Sequence, residues 1–276
     1  MFDPLSTRLA AMNIHYFRHS LAHFLDDAAA LGFSKIELWA GMPHLSLEDA
    51  TDTDIKRTKQ LLLERELALI CLTPEQCLYP INLASEHPGT AQRSLSYFLR
   101  ALEVAEALEC PQMLVTAGWG YANESPTDAW NRACDQLGTL AQEARKKGVT
   151  ILLEPLSHTE SNLIVSTADL ARMMEEIGSD QIAAILDLNA MSAAGETPEA
   201  YLTRFGERLR HVHICDGTPE GHLAWGDGTL PLADYIHSLE KSGYTGTYSF
   251  EFVSPDYWLD PRTPLAHSHT ELLQSV

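Results

Sequence analysis

The sequence predicts an α/β protein, a (β/α)8 TIM barrel in which residues 1–276 form a single domain. Three observations carry that expectation. Short apolar runs alternate with longer amphipathic stretches eight times, the pattern of parallel strands covered by helices. The 276 residues suit one closed barrel, a fold of ~250 residues. No GxGxxG follows the first strand and no GxxxxGK[ST] occurs, which counts against an open nucleotide-binding sheet.

Strands are predicted over 9–14, 35–40, 68–73, 112–117, 150–154, 182–188, 210–216 and 247–253, each a short run bounded by polar turn residues. Helices are predicted over 20–31, 47–66, 89–109, 128–147, 166–176, 198–205, 232–242 and 264–273. Several open on Ser, Thr or Pro and close beside Gly32, Gly148 or Gly243, as helix caps require. No Gly/Ser linker, low-complexity tract or shift in composition marks a second domain.

The net charge of −19 opposes nucleic-acid binding, which depends on Lys and Arg neutralising phosphates. No run of about 20 apolar residues is present, so no membrane span is expected. The opening MFDPLSTRLAAMNIHYFRHS lacks a basic segment followed by an apolar one, so no signal peptide is expected. Cys71, Cys77, Cys110, Cys134 and Cys215 form an odd set without CxxC. Small buried residues in a reduced, cytoplasmic protein are the expectation for them.

The last four predicted strands carry the chemistry. Side chains alternate along a strand, so in TILLEP Leu152 and Glu154 share one face and Ile151 and Leu153 the other. By the same rule Ile185, Asp187 and Asn189 align, as do His211, His213 and Cys215, and Ser249, Glu251 and Val253. The apolar faces suit the helices, which turns the polar faces into the barrel. Singly, each residue has an ordinary explanation: a paired glutamate, Asp187 as the cap of the next segment, His213 as a satisfied core histidine. Together they converge at the C-terminal mouth, where barrel enzymes keep their active sites. Three buried carboxylates repel one another and are costly unless paired or bound to a cation. One divalent metal held by Glu154, Asp187, His213 and Glu251 removes the conflict. Oxygen donors with one nitrogen suit Mn, Co, Ni or Mg better than structural zinc, which favours cysteine.

The chain resembles the xylose-isomerase-like barrels of sugar isomerases and epimerases. The segments that carry the likeness are GFSKIELWAGMPH (32–44), LTPEQCLYPINL (72–83), ILLEPLSHTESNLI (151–164), LDLNA (186–190), LRHVHICD (209–216), WGDGTLPL (225–232) and YTGTYSFEFV (244–253). They run in order over almost the whole chain and are most similar to the fructoselysine 3-epimerase branch. The ketohexose 3-epimerases are more distant. The resemblance implies that the four residues bind the metal and that Glu154 and Glu251 also form the acid/base pair. It further implies a small sugar or ketosamine substrate and a homo-oligomer. One departure bears on substrate. Ketohexose epimerases carry a histidine three residues after the strand-6 aspartate, where this chain has Ala190.

Further substrate-contact candidates follow other strands: His44, Glu75, Tyr79, Trp119 for stacking, Asn162, and His222 as a substitute polar contact. Glu37 sits mid-strand and is read as structural. The leading expectation is a 3-epimerase of a ketosamine such as fructoselysine, with a ketohexose 3-epimerase or hydroxypyruvate-type isomerase as the alternative. A related abasic-site endonuclease would need an Asp-x-x-His on strand 6, which is absent here. A non-catalytic sugar-binding barrel would not need both glutamates.

Overall fold

The computed structural model describes residues 4–76, 81–218 and 221–275. Eight parallel strands close into a barrel in chain order: β1 Leu9–Met12, β2 Lys35–Ala40, β3 Ala68–Pro74, β4 Gln112–Thr116, β5 Thr150–Glu154, β6 Ile182–Asp187, β7 Leu209–Ile214 and β8 Thr247–Phe250. Around it run α1 Leu5–Arg8, α2 Leu21–Ala30, α3 Asp52–Leu63, α4 Pro88–Ala107, α5 Pro126–Lys147, α6 Thr167–Ile177, α7 Leu188–Ala193, α8 Pro198–Phe205, α9 Leu232–Lys241 and α10 Arg262–Ser275. None of the described helices is long and apolar enough to cross a membrane.

Alternation sorts the strand residues as the pattern predicts. Ile151, Leu153, Val212, Ile214, Tyr248 and Phe250 point outward and join the apolar layer beneath the helices. Inside the barrel, Cys71, Leu114, Leu152, Ala183 and Ile185 form a separate small apolar cluster on the β3–β6 side. The interior near β2, β7 and β8 is polar instead, with Glu37, His211, His213 and Ser249 at 0–1% exposure. Full burial of a Leu or Ile stabilises by roughly 1.5–3 kcal/mol. A one-residue slip would exchange these faces and turn Glu154 and Asp187 into the helix layer, so burial sets the register.

The differences from expectation lie at element ends and in two short helices that the periodicity does not predict, α1 and α7. The third helix starts at Asp52 rather than 47, because Thr51 and Asp54 form a reciprocal capping box. Strand β6 stops at Asp187, whose carboxylate accepts from Ala190 N at 2.6 Å and caps α7, a turn the periodicity does not signal. Strand β1 stops at Met12, and the Asn13 side chain then bridges to β2, accepting from Trp39 N and donating to Trp39 O. Gln76 does the same where β3 and β4 splay and share only the Leu72–Met113 pair: it accepts from Thr116 N and donates to the Pro74 and Leu114 carbonyls. Two side-chain amides therefore satisfy backbone groups at the mouth that the parting strands leave open.

Candidate metal centre

Glu154 ends β5, Asp187 ends β6, His213 lies near the end of β7, and Glu251 follows β8 with its N–H still bonded to Ile214 O. One ligand atom from each lies within 4.8 Å of all the others. His213 Nδ1 is 2.9 Å from Glu251 Oε2 and 3.1 Å from Glu154 Oε1. On its far side, His213 Nε2 is 3.2 Å from both oxygens of Glu37. Below it, His211 Nε2 donates to the same carboxylate at 2.9 Å, and Thr73 and Ser249 add their hydroxyls.

Burial and crowding set the protonation. Burial pushes the Glu154 carboxyl up to about 7, with Glu251 and Asp187 adding to the rise against the pull of His213. Burial likewise raises Asp187. Burial works the same way on Glu251, but the imidazoles of His213 and His222 outweigh it and hold Glu251 below the usual range. His213 is penalised as a cation by burial, yet Glu251, Glu37 and Glu154 raise it well above the ordinary imidazole value. Cys215 donates to Asp187 Oδ2 at 3.3 Å and stays a thiol, because burial and the Asp187 charge raise it far above its usual value.

The donor set fits a cation. His213 Nδ1 is buried and lies close to two carboxylates, yet it meets no acceptor or donor in hydrogen-bond geometry. With Nε2–H given to Glu37, Nδ1 is the nitrogen left to offer a cation its lone pair once its proton is displaced, and it points into a cluster of three carboxylates. Glu37, His211 and His213 form a second cluster with ligand-type spacing, and Asp187, Cys215 and His222 a third.

A cavity of about 260 Å³ opens over the quartet. Glu154, Asp187 and Glu251 line it together with the apolar side chains of Ile14, Trp39 and Val253. His222 lines it too, 3.5 Å from Glu251 and 3.7 Å from Asp187, on a segment tied down by Val253 N–H donating to His222 O. Glu75 is present, accepting from the Trp39 indole at 3.0 Å, and burial raises its carboxyl. Ala190 also faces this space.

Three sequence candidates lie elsewhere. His44 has both ring nitrogens engaged, with Asn13 and the His19 carbonyl, and lines a separate recess of about 370 Å³ by α2 and α3. Asn162 accepts from Gly120 N and clamps two loops together. Trp119 is 39% exposed beside Asn82, away from the quartet. Position after a strand does not say which way a loop folds, and these three side chains do not line the cavity over the quartet. Tyr79 lies outside the described residues, as does Cys77. Sequence reasoning missed Glu160, which lines the cavity and accepts from Ser157, and Asn189, whose amide donates to Gly221 O and anchors the segment bearing His222. It also missed the contact of Glu37 with His213, since no local spacing relates residues 176 apart.

The GDG motif has a structural explanation. Asp216 accepts from the N–H groups of Gly217, Gly226 and Leu230, folding the β7–α9 segment around one carboxylate. A Cβ on Gly228 would sit 2.3 Å from Asp216 Oδ1, so only glycine fits there.

Residues 25–275 match the model of the xylose isomerase-like TIM barrel. The chain belongs to that family. A fructoselysine 3-epimerase from Escherichia coli O157:H7 is 29% identical over 247 residues, 89% of this chain and 90% of that protein. A D-psicose 3-epimerase from Enterocloster bolteae is 24% identical over 242 residues, 83% of this chain and 75% of that one. A solved L-ribulose 3-epimerase superposes with a TM-score of 0.83 at 23% identity, covering 98% of this chain and 94% of that one. With these relatives, this member of the xylose isomerase-like TIM barrel family is an isomerase-type enzyme.

Proposed function

We propose that the protein is a divalent-metal-dependent sugar 3-epimerase acting on a ketosamine such as fructoselysine. The observation that carries this reading is the convergence of Glu154, Asp187, His213 and Glu251 on one point beneath a cavity, with the orphaned Nδ1 of His213 turned toward the three carboxylates. Those four residues would hold the ion, with Mn, Co, Ni or Mg suited to the donors. When bound, the ion draws electron density from the sugar's carbonyl and neighbouring hydroxyl oxygens, which acidifies the hydrogen on C3.

The chain's own residues do the proton work. Glu154 and Glu251 come from β5 and β8, so they can flank C3 from its two faces. One carboxylate takes the C3 proton as the C–H bond breaks, and the carboxyl group of the other gives a proton to the opposite face. The sugar leaves as its C3 epimer, and the two glutamates have exchanged protonation states. A positioned carboxylate contributes on the order of 10²–10⁴ to such a step. His222 and Glu75 reach the cavity and are assigned to substrate oxygens. Ile14, Trp39 and Val253 add apolar surface to the lining of the cavity.

The fructoselysine 3-epimerase relative, matched over most of both chains, supports the ketosamine substrate, and so does Ala190 facing the cavity. The D-psicose 3-epimerase relative supports a free ketohexose as the second reading. A cytoplasmic homo-oligomer is part of the same proposal. The test is incubation with Mn²⁺ and fructoselysine in D₂O. Deuterium at C3 and appearance of the C3 epimer are expected, and no exchange with any ketose or ketosamine refutes the reading.

A further inference from the structure

We propose that Glu37 is a positioning residue that selects the metal-binding tautomer of His213, holding the proton on Nε2 and leaving Nδ1 for the ion. The inference rests on the reading of Glu154, Asp187, His213 and Glu251 as ligands. Glu37 lies on β2, across the barrel interior from β7, and is 0% exposed. Its two oxygens face His213 Nε2 at 3.2 Å each, while the opposite ring nitrogen lies 2.9–3.1 Å from Glu251 and Glu154. A neutral imidazole carries one proton, and a carboxylate can only accept. Carboxylates face both ring nitrogens, but only Nε2 meets one in hydrogen-bond geometry, so the single proton stays on the Glu37 side and the Nδ1 lone pair is aimed at the cluster.

The surroundings of Glu37 keep it in that role. A carboxylate offers about four lone-pair directions. Four side chains donate to this one: His213, His211, Thr73 and Ser249. His211 Nδ1 is in turn 2.7 Å from the Thr247 hydroxyl, which holds that ring in place. No lone pair of Glu37 is left for an ion, so the Glu37–His211–His213 group acts as a clamp beneath the metal centre instead of as a second centre. Partners of ligating histidines are typically worth about 10–100-fold in metal affinity.

The test is calorimetric titration of the protein with Mn²⁺, comparing wild type, Glu37→Gln, Glu37→Asp and Glu154→Gln, with thermal melts of each ion-free protein. Glu37→Gln is expected to bind ~10–100-fold more weakly while keeping the barrel, and Glu37→Asp to recover part of the loss. Should Glu37→Gln fail to fold, ¹⁵N-histidine-labelled wild type loaded with ¹¹³Cd²⁺ answers the same question: coupling is expected at Nδ1 of His213, with Nε2 protonated. Coupling at Nε2 overturns the inference, as does a Glu37→Gln affinity within twofold of wild type. Binding that survives Glu154→Gln but vanishes in Glu37→Gln also overturns it, since Glu37 would then be a ligand. A wild type that takes up no Mn²⁺ overturns the metal reading itself, and this inference with it.

Discussion

Loading the proposed metal centre is expected to expel protons, and their number depends on pH. Without an ion, burial and the neighbouring carboxylates hold Glu154 protonated up to about 7. His213 keeps its second proton well above the usual imidazole range, because Glu251, Glu37 and Glu154 outweigh its burial. In the substrate-free protein a cation needs Glu154 as the carboxylate and His213 through bare Nδ1, so loading displaces both protons, and the proton that one glutamate gives in the proposed reaction is taken up again with the substrate. Each raised pKa favours the protonated form at low pH, so protons compete with the ion below that pKa. Above pH 7 only the His213 proton is displaced, and affinity changes about tenfold, or about 1.4 kcal/mol, per pH unit. Below 7 Glu154 adds its own, and the dependence steepens toward about a hundredfold per unit. From pH 8 to pH 6 the affinity for Mn²⁺ is expected to fall on the order of 10²–10³-fold. Calorimetric titration in two buffers of different ionisation enthalpy counts the released protons at each pH. Glu154→Gln binds more weakly, and it is expected to lose the second proton below pH 7 while retaining the first. Proton release that stays at zero across pH 6–8 would refute the protonation scheme.

Other outcomes follow from single sites. His15 is fully buried, its ring nitrogens meet no partner in good hydrogen-bond geometry, and burial lowers its pKa from 6.5 to about 3 against the opposing pull of the Pro261 carbonyl. The unfolded chain therefore takes up a proton between those values that the folded chain refuses. His15→Phe is expected to gain stability over wild type as pH falls, by roughly 3 kcal/mol between pH 7 and 4.5 in urea unfolding. A gap that does not change with pH sinks that account. Gly228→Ala forces a Cβ against Asp216 and is expected to cost about 1–3 kcal/mol and raise KM by displacing the segment that carries His222; melts and steady-state kinetics check both. Glu251→Gln is expected to lower kcat on the proposed substrate by about 10²–10⁴-fold, read from the C3 deuterium-exchange rate, and an unchanged rate removes Glu251 from the proton path.

The barrel was legible because its information is local. Period-two alternation in TILLEP, RHVHICD and YSFEFV says which face of each strand is apolar, and the helices cover that face wherever the chain goes. The convergence of Glu154, Asp187, His213 and Glu251 was legible for the same reason, since consecutive strands of one barrel bring matching depths together. Loop residues are different. His44, Trp119 and Asn162 follow strands just as Glu75 does, but the direction of a loop depends on contacts such as Asn13 with His44 and Asn82 with Trp119. Asn13 and Gln76 left no signal, because a single amide replacing a strand contact has no periodicity.

By itself the sequence determined the fold class, the inward face of each strand and the residue types gathered at the mouth, because each of these follows from neighbours in the chain. Only the tertiary structure decided which ring nitrogen of His213 faces the carboxylates, that Glu37 holds the other, and which loop side chains line the cavity. Those facts depend on groups brought together across the barrel from distant strands, and packing alone sets their distances and directions.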